Sequence, residues 1–323
     1  MISFYGKILN SVNLSFLFLL LPLFIFLFLY LRWEKYSKDP KVKIIEAKKD
    51  APEGLSPMEM STVFQSNVSF RSISAETIYL AIKGYIKIER IEKKVSFIRM
   101  HDYAFTRLIQ KDPDSDFDAK LLNSLFRFDP YMYVELSDLK KIIFNDFQTI
   151  SDLTADSVTK KKYFENNYIK NKGIYIIFSI LFCVVSYFFR IDWIFSASMF
   201  YSGIIILVFG LMMPKKTKKG LNAQKDILGL KKYLQTIEND GKNISVSEKK
   251  VEVFEKLLPY AVVFDAESSL IRKFEGIYES QPSWYNDPGI TFWSGLAFEK
   301  SFKDFVLESL SAFSDSGSLK DNK

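Results

Sequence analysis

Residues 174–213 read IYIIFSILFCVVSYFF from Ile174 to Phe189, then Arg190-Ile191-Asp192, then WIFSASMFYSGIIILVFGLMM from Trp193 to Met213. Two apolar runs joined by a short polar break predict a membrane hairpin. At about 1.5 Å of rise per residue, each run approaches the thickness of a hydrocarbon core, about 30 Å. Lys160-Lys161-Lys162, Lys170 and Lys172 precede the hairpin, and Lys215-Lys216-Thr217-Lys218-Lys219 close it. Basic residues stay on the cytoplasmic side of a membrane, so both flanks are expected in the cytoplasm.

A third apolar run, Leu14 to Leu31, is built almost wholly of Leu and Phe and contains Pro22, which a membrane helix tolerates. It ends in Leu29-Tyr30-Leu31-Arg32-Trp33 with no small-residue cleavage site, so an uncleaved anchor is expected rather than a signal peptide. Lys7 alone stands before it, whereas Arg32, Lys35, Lys38, Lys41 and Lys43 follow. All three runs therefore agree on one topology in the cell membrane, with the N-terminus outside and the main domain in the cytoplasm.

Cys183, the single cysteine, falls inside the hairpin, which excludes a disulfide framework or a cysteine zinc site within one chain. The formal net charge of +6 resides largely in the juxtamembrane lysines. Contact with anionic lipid headgroups accounts for them without nucleic acid.

The expected organisation runs as a short extracytoplasmic N-terminus (1–13), a span (14–31) and a charged linker containing Pro40 (32–50). A cytoplasmic α+β region (51–172) leads into the hairpin (173–213, spans 174–189 and 193–213). A cytoplasmic helical region (214–313) and a disordered polar tail (314–323) complete it. Within 51–172, Ser56-Pro57-Met58-Glu59 is a capping box that should start a helix. Ile78, Ala81, Ile82 and Tyr85 recur at helical spacing, predicting a second helix over 72–83 that Gly84 stops. Tyr85 to Ile91 alternates at period two, Glu92-Lys93-Lys94 can turn the chain, and Val95 to Met100 should return as its partner strand. Helix, helix and hairpin is the order of a winged-helix module. Asp118 as a helix cap, a strand over 131–136 and Ser137 as another cap suggest a second such block. In 214–313, amphipathic helices are expected over 220–238, from Ser247 with a break at Pro259, and over 266–278. Gln281 to Gly289, with Trp284-Tyr285, reads as a loop plugged by aromatics.

No residue set identifies a chemistry, and no catalytic, cofactor-binding or metal-ligating residue is assigned. Asp112-Pro113-Asp114-Ser115-Asp116-Phe117-Asp118 alternates carboxylates like a calcium loop. Phe117 and Asn123 nevertheless stand where an EF-hand needs glycine and a bidentate glutamate. His101 beside Asp102 is the lone imidazole and has no nucleophile motif to serve. As a DNA reader, the second helix would present Ser72, Ser74, Glu76, Thr77 and Lys83, a set poor in base-reading side chains. Arg71, Arg90, Lys93 and Lys94 could meet phosphates, opposed by Glu89 and Glu92. Arg190 and Asp192 read as an outer turn at the interface. Ser196, Ser198, Ser202, Gly203 and Gly210 would let helices pack closely, within the chain or between copies in a homo-oligomer.

Ala51-Pro52-Glu53-Gly54-Leu55-Ser56-Pro57-Met58-Glu59 and Ile78-Tyr79-Leu80-Ala81-Ile82-Lys83-Gly84-Tyr85-Ile86-Lys87-Ile88-Glu89 together resemble the YciQ-like predicted membrane proteins of bacteria and archaea. Val134-Glu135-Leu136-Ser137-Asp138-Leu139, Phe254-Glu255-Lys256-Leu257-Leu258-Pro259-Tyr260-Ala261 and Trp284-Tyr285 fit the same family, so the resemblance spans 51 to about 310. Members carry an extracytoplasmic domain before the first span and a glycine-rich tail, neither of which this sequence contains. Where the family tends to glycine and tryptophan after Ala261, this chain has Asp265 and Leu270. The resemblance implies architecture and brings no activity with it.

The fold class expected is thus a three-span α-helical membrane protein with a cytoplasmic α+β domain of winged-helix-like units and a helical C-terminal part. A non-enzymatic scaffold or regulatory subunit with a protein partner is the leading function. A membrane-tethered nucleic-acid-binding regulator is the alternative, and an enzyme on membrane-proximal substrate ranks third.

Overall fold

The computed structural model describes residues 18–36, 46–50, 52–95, 98–127, 132–165, 168–188, 193–212, 216–237 and 251–315. The chain divides into two compact units, one of residues 1–41 with 162–221 and the other of residues 42–161 with 222–323. Among the described residues the fold is mostly helical, with one small mixed sheet.

The first unit holds α1 (Leu20–Tyr36), α6 (Tyr168–Phe188) and α7 (Trp193–Met212). Among the described residues α7 is the helix long and apolar enough to cross a membrane, and the apolar part of α6 covers Gly173–Phe188. The polar break with Arg190 and Asp192 lies outside the described residues, as do residues 14–17 of the expected first span. The expected N-terminal segment 1–13, Pro40 of the linker, the helix start at Ser247 and the tail beyond 315 lie outside them too. Leu29 of α1 packs with Ile206 and Phe209 of α7. Where α6 and α7 meet, Ser186 and Ser196 exchange hydroxyl-to-carbonyl bonds of 2.9 Å. A methyl group at Gly210 would overlap Tyr175 Cβ, so only glycine permits that approach. The outer faces are the apolar ones: Leu23 and Phe24 of α1, Ile177 and Leu181 of α6, and Tyr201 and Leu211 of α7 are all exposed.

In the second unit, the Ser56 capping box starts α2 (Pro57–Gln65) as the sequence dictates, with Pro57 in the first turn. A second capping box at Ser69 starts α3 (Phe70–Ile82), two residues before the expected start. Gly84, at φ 81°, turns the chain into β1 (Ile86–Val95). β1 pairs antiparallel with β2 (Ile98–Arg107), from Ile86 opposite Arg107 to Val95 opposite Ile98. Glu92, Lys93 and Lys94 therefore extend the strand rather than turning it, because cross-strand pairing continues through them.

The two blocks expected in tandem share one sheet. Between α4 (Asp116–Leu125) and α5 (Ile142–Lys160), β3 (Tyr133–Glu135) adds to β2. On the far edge β4 (Tyr285–Asn286) runs parallel to β1, giving the order β3-β2-β1-β4. The C-terminal part thus contributes a strand as well as helices. It consists of α8 (Lys218–Thr236, which begins within the first unit), α9 (Val251–Val263, with Pro259 inside), α10 (Glu267–Lys273) and α11 (Gly295–Ser314). Phe305 of α11 meets Tyr103 edge-on at 5.2 Å and Phe105 at 6.1 Å, seating the helix on the sheet. Phe302, Phe305 and Phe313 are fully buried, each worth about 1.5–3 kcal/mol of transfer free energy.

Candidate functional site

Helix α3 is the hub of the second unit. Ser72 through Ile78, Leu80 and Ala81 are buried, so this helix is enclosed on every face. Glu76, entirely without solvent exposure, points to the N-terminus of α2. Its Oε2 accepts from Met58 N at 2.7 Å and from Ser56 Oγ at 2.9 Å. Unsatisfied backbone N–H groups and the helix dipole make that terminus a natural seat for a carboxylate. Glu59, 1% exposed, completes the capping box with Ser56 N at 3.0 Å. Ser157 Oγ, at 2.6 Å, and Lys161 Nζ, at 2.7 Å, also donate to Glu59, tying α2 to the C-terminal end of α5.

The other Glu76 oxygen, Oε1, finds no donor among the described residues, and neither does Asp118 Oδ1. The charge of the Asp118 carboxyl acts on Glu76. Burial pushes the Asp118 carboxyl up to about 6, and burial followed by the charge of Asp118 holds Glu76 well above the usual carboxylate range.

Asp118 forms part of the wall of a half-open cavity of about 650 Å³. Leu55, Tyr79, Phe117, Leu153 and Tyr260 supply its apolar surface. Tyr260 OH donates to Leu55 O at 2.7 Å, fixing α9 against the start of α2. Six carboxyl side chains line the cavity against four lysines. Lys161 is held by Glu59 and by Gly54 O at 2.9 Å, Lys160 lies 3.8 Å from Asp116, and Lys83 Nζ stands 4.2 Å above the Tyr79 ring.

Of the residues singled out from sequence, Lys83 and Asp114 to Asp118 line this cavity, and the others go elsewhere. Asp112 pairs with Arg107 at 2.5 Å, Asp116 lies in the first turn of α4, and Asp118 turns inward, so the acidic stretch diverges. Ser115 takes the N-cap position expected for Asp118, which belongs to the helix itself. Among the described residues no group of three His, Cys, Asp or Glu side chains is placed to hold a metal ion. His101 Nε2 lies 2.8 Å from Glu308, whereas Asp102 receives Lys93 at 3.0 Å and Tyr103 N at 2.8 Å; the two neighbours form no dyad. Ser72, Ser74, Glu76 and Thr77 are buried and not displayed, because α3 lies inside the unit. Arg71 pairs with Asp265 at 3.0 Å, Lys93 with Asp102 and Glu135, and Arg90 with the buried Asp287 at 3.1 Å. Trp284 and Tyr285 are buried. Trp284 Nε1 donates to Glu255 at 2.8 Å, and Tyr285 OH bonds Ser301 Oγ at 2.6 Å.

Sequence reasoning missed the Glu76–Asp118 pair. The available signal was the run Ser72-Ile73-Ser74-Ala75-Glu76-Thr77-Ile78, small or apolar on every side except at Glu76, which marks a helix packed all round.

A mostly helical protein with a small mixed sheet, a membrane-length apolar helix and an acid-floored cavity is the class defined by this fold. The chain belongs to the family described as "Predicted membrane protein (DUF2207) C-terminal domain", whose model matches residues 44–274. No curated protein and no solved structure matches it.

Proposed function

We propose that the chain is a multi-pass membrane protein in which α1, α6 and α7 span the bilayer, with the N-terminus outside. Its second unit acts in the cytoplasm as a non-enzymatic scaffold or regulatory module through protein contacts. The inverted packing of the first unit carries the membrane part. Ser179, Ser186, Ser198 and Ser202 are buried, while Leu, Ile and Phe side chains face outward. A unit folded in water has the opposite arrangement, whereas lipid rewards it. The lysines at both ends of the hairpin favour cytoplasmic flanks.

Protein contact is supported by Phe292, 81% exposed, and Leu296, 72% exposed, the most exposed of the large apolar side chains described in the second unit. Helices α2 and α3 followed by the β1–β2 hairpin keep the chain order of a winged helix. The burial of α3 and the strands on both edges of the hairpin favour docking over groove reading, so nucleic acid is the disfavoured partner. Cys183→Ala provides a cysteine-free background for the topology test. A cysteine at Ser11 should react with an impermeant maleimide on intact cells, and one at Leu296 only after permeabilisation. The reverse pattern refutes the orientation. Loss of a copurifying protein in Phe292→Asp/Leu296→Asp, at unchanged protein level, is the result expected of the docking surface.

A further inference from the structure

We propose that the neck of the hairpin, where the chain enters α6 and leaves α7, is a discrete binding site for the phosphate of an anionic phospholipid headgroup, held by Lys162 and Lys218. Phe164 pairs with Lys216 in an antiparallel bridge. Thr217 N donates to Tyr163 O at 3.0 Å, and Thr217 Oγ1 donates to Lys162 O, 55 positions away, at 2.6 Å. The backbones approach so closely that a methyl group at Gly220 would collide with Tyr163 O. Tyr163 and Phe164 are buried, and Lys219 Nζ stands 4.3 Å above the Tyr163 ring. Two basic stretches that are separate in the sequence are thus closed into one neck, all of it within the first unit.

The charge of the neck calls for an anion. Lys162 and Lys218 are exposed, and neither ammonium forms an ion pair among the described residues. Glu165 sets one negative charge against the positive charges of Lys162, Lys216, Lys218 and Lys219. Lys218 and Lys219 open α8, and no acidic residue stands in its first turn. Cations at that end oppose the helix dipole, so the positive potential there adds to that of the side chains. A phosphate accepts charge-assisted bonds from two ammoniums at once.

Position commits the source to a lipid, on the reading of α6 and α7 as spans. The bridge at Phe164 and Lys216 is tied to the start of α6 at Tyr168 and the end of α7 at Met212 by short segments, each reaching at most roughly 14 Å. The neck therefore lies at the level of the headgroups, which begin where the apolar helices end. Ile174 of α6 and Leu211 and Met212 of α7 are exposed near those ends and offer acyl chains a surface that a soluble phosphate cannot use. Lys162 has φ 62°, which asparagine accepts readily, so Lys162→Asn removes its charge without added strain. Lys218→Gln removes the other charge and relieves the repulsion at the start of α8. The bridge itself relies on backbone groups and Thr217, and so survives both changes.

The full chain in uncharged detergent micelles would be titrated with dioleoyl phosphatidylglycerol and with dioleoyl phosphatidylcholine, bound lipid being counted by native mass spectrometry. Expected is a phosphatidylglycerol held about tenfold or more tighter than phosphatidylcholine, a preference that Lys162→Asn/Lys218→Gln reduces to about twofold or less. Arg32→Gln/Lys35→Gln removes equal charge from α1 and should leave the preference in place. Equal binding of the two lipids, a preference that survives in the neck variant, or its loss in both variants alike would each overturn the assignment. Glycerol 3-phosphate up to about 10 mM should not displace the lipid; displacement would make the neck a site for a soluble phosphate ester and refute the lipid source. The maleimide pattern tests the spans separately. If that pattern holds while the two lipids bind alike, the neck site is refuted and the membrane reading stands. A reversed pattern with lipid preference intact refutes the orientation alone.

Discussion

Replacing Asp118 with asparagine should stabilise the second unit at neutral pH, an unusual direction for a buried polar substitution. In the folded chain the Asp118 carboxyl is raised from 3.8 to about 6. Between those values the folded state binds more protons than the unfolded chain, so stability falls as pH rises through that window and stays reduced above it. A rise of about two pH units corresponds to about 3 kcal/mol, an upper value for a carboxyl beside a second titrating group. The introduced asparagine carries no charge, so this pH dependence disappears with the carboxyl. Urea denaturation followed by fluorescence of Trp284 and Trp293, the two tryptophans of this unit, reads the difference. The variant should match its parent near pH 4 and exceed it by up to about 3 kcal/mol at pH 7.5. If the two stability curves run parallel from pH 4 to pH 7.5, burial does not raise the Asp118 carboxyl and the reasoning is wrong.

Two other substitutions probe the packing. Arg90→Leu strands Asp287, whose side chain is 1% exposed and otherwise held by Ser301 Oγ and Gly289 N, and should cost about 3 kcal/mol in the same denaturation assay. Adding Asp287→Asn should recover part of that loss; no recovery would mean that the guanidinium acts by packing alone. Gly210→Ala drives a methyl into Tyr175 and should destabilise the α6–α7 pair by about 1–3 kcal/mol. Faster proteolysis of the hairpin in micelles measures it, and an unchanged rate would show that these helices do not pack at that point.

Elements whose cause is local were legible in the sequence. The Ser56 capping box needs only three neighbouring residues to satisfy two orphan N–H groups, and it starts α2 where its spacing indicates. The apolar runs are equally local, since the composition of 174–188 and 193–212 suffices for helices with lipid-compatible faces. The turn expected at Glu92-Lys93-Lys94 failed because charge suggests a loop, whereas β2 was there to pair with those residues. The N-cap expected at Asp118 failed for a related reason: Ser115 also can begin the helix, which leaves Asp118 buried within its first turn.

From the sequence alone came the apolar segments, their flanking lysines and the helix starts, because hydropathy, charge asymmetry and capping act over a few residues. Tertiary structure decided that β3, β2, β1 and β4, drawn from positions as far apart as 86 and 286, close into one sheet. It also decided that α3 is buried and not displayed, and that Asp118, forty-two positions after Glu76 in the chain, acts on that buried carboxyl from the wall of a cavity. Burial and charge proximity are properties of three-dimensional neighbours. A carboxyl in a string of residues has an ordinary affinity for its proton until the fold removes its water and sets another carboxyl beside it.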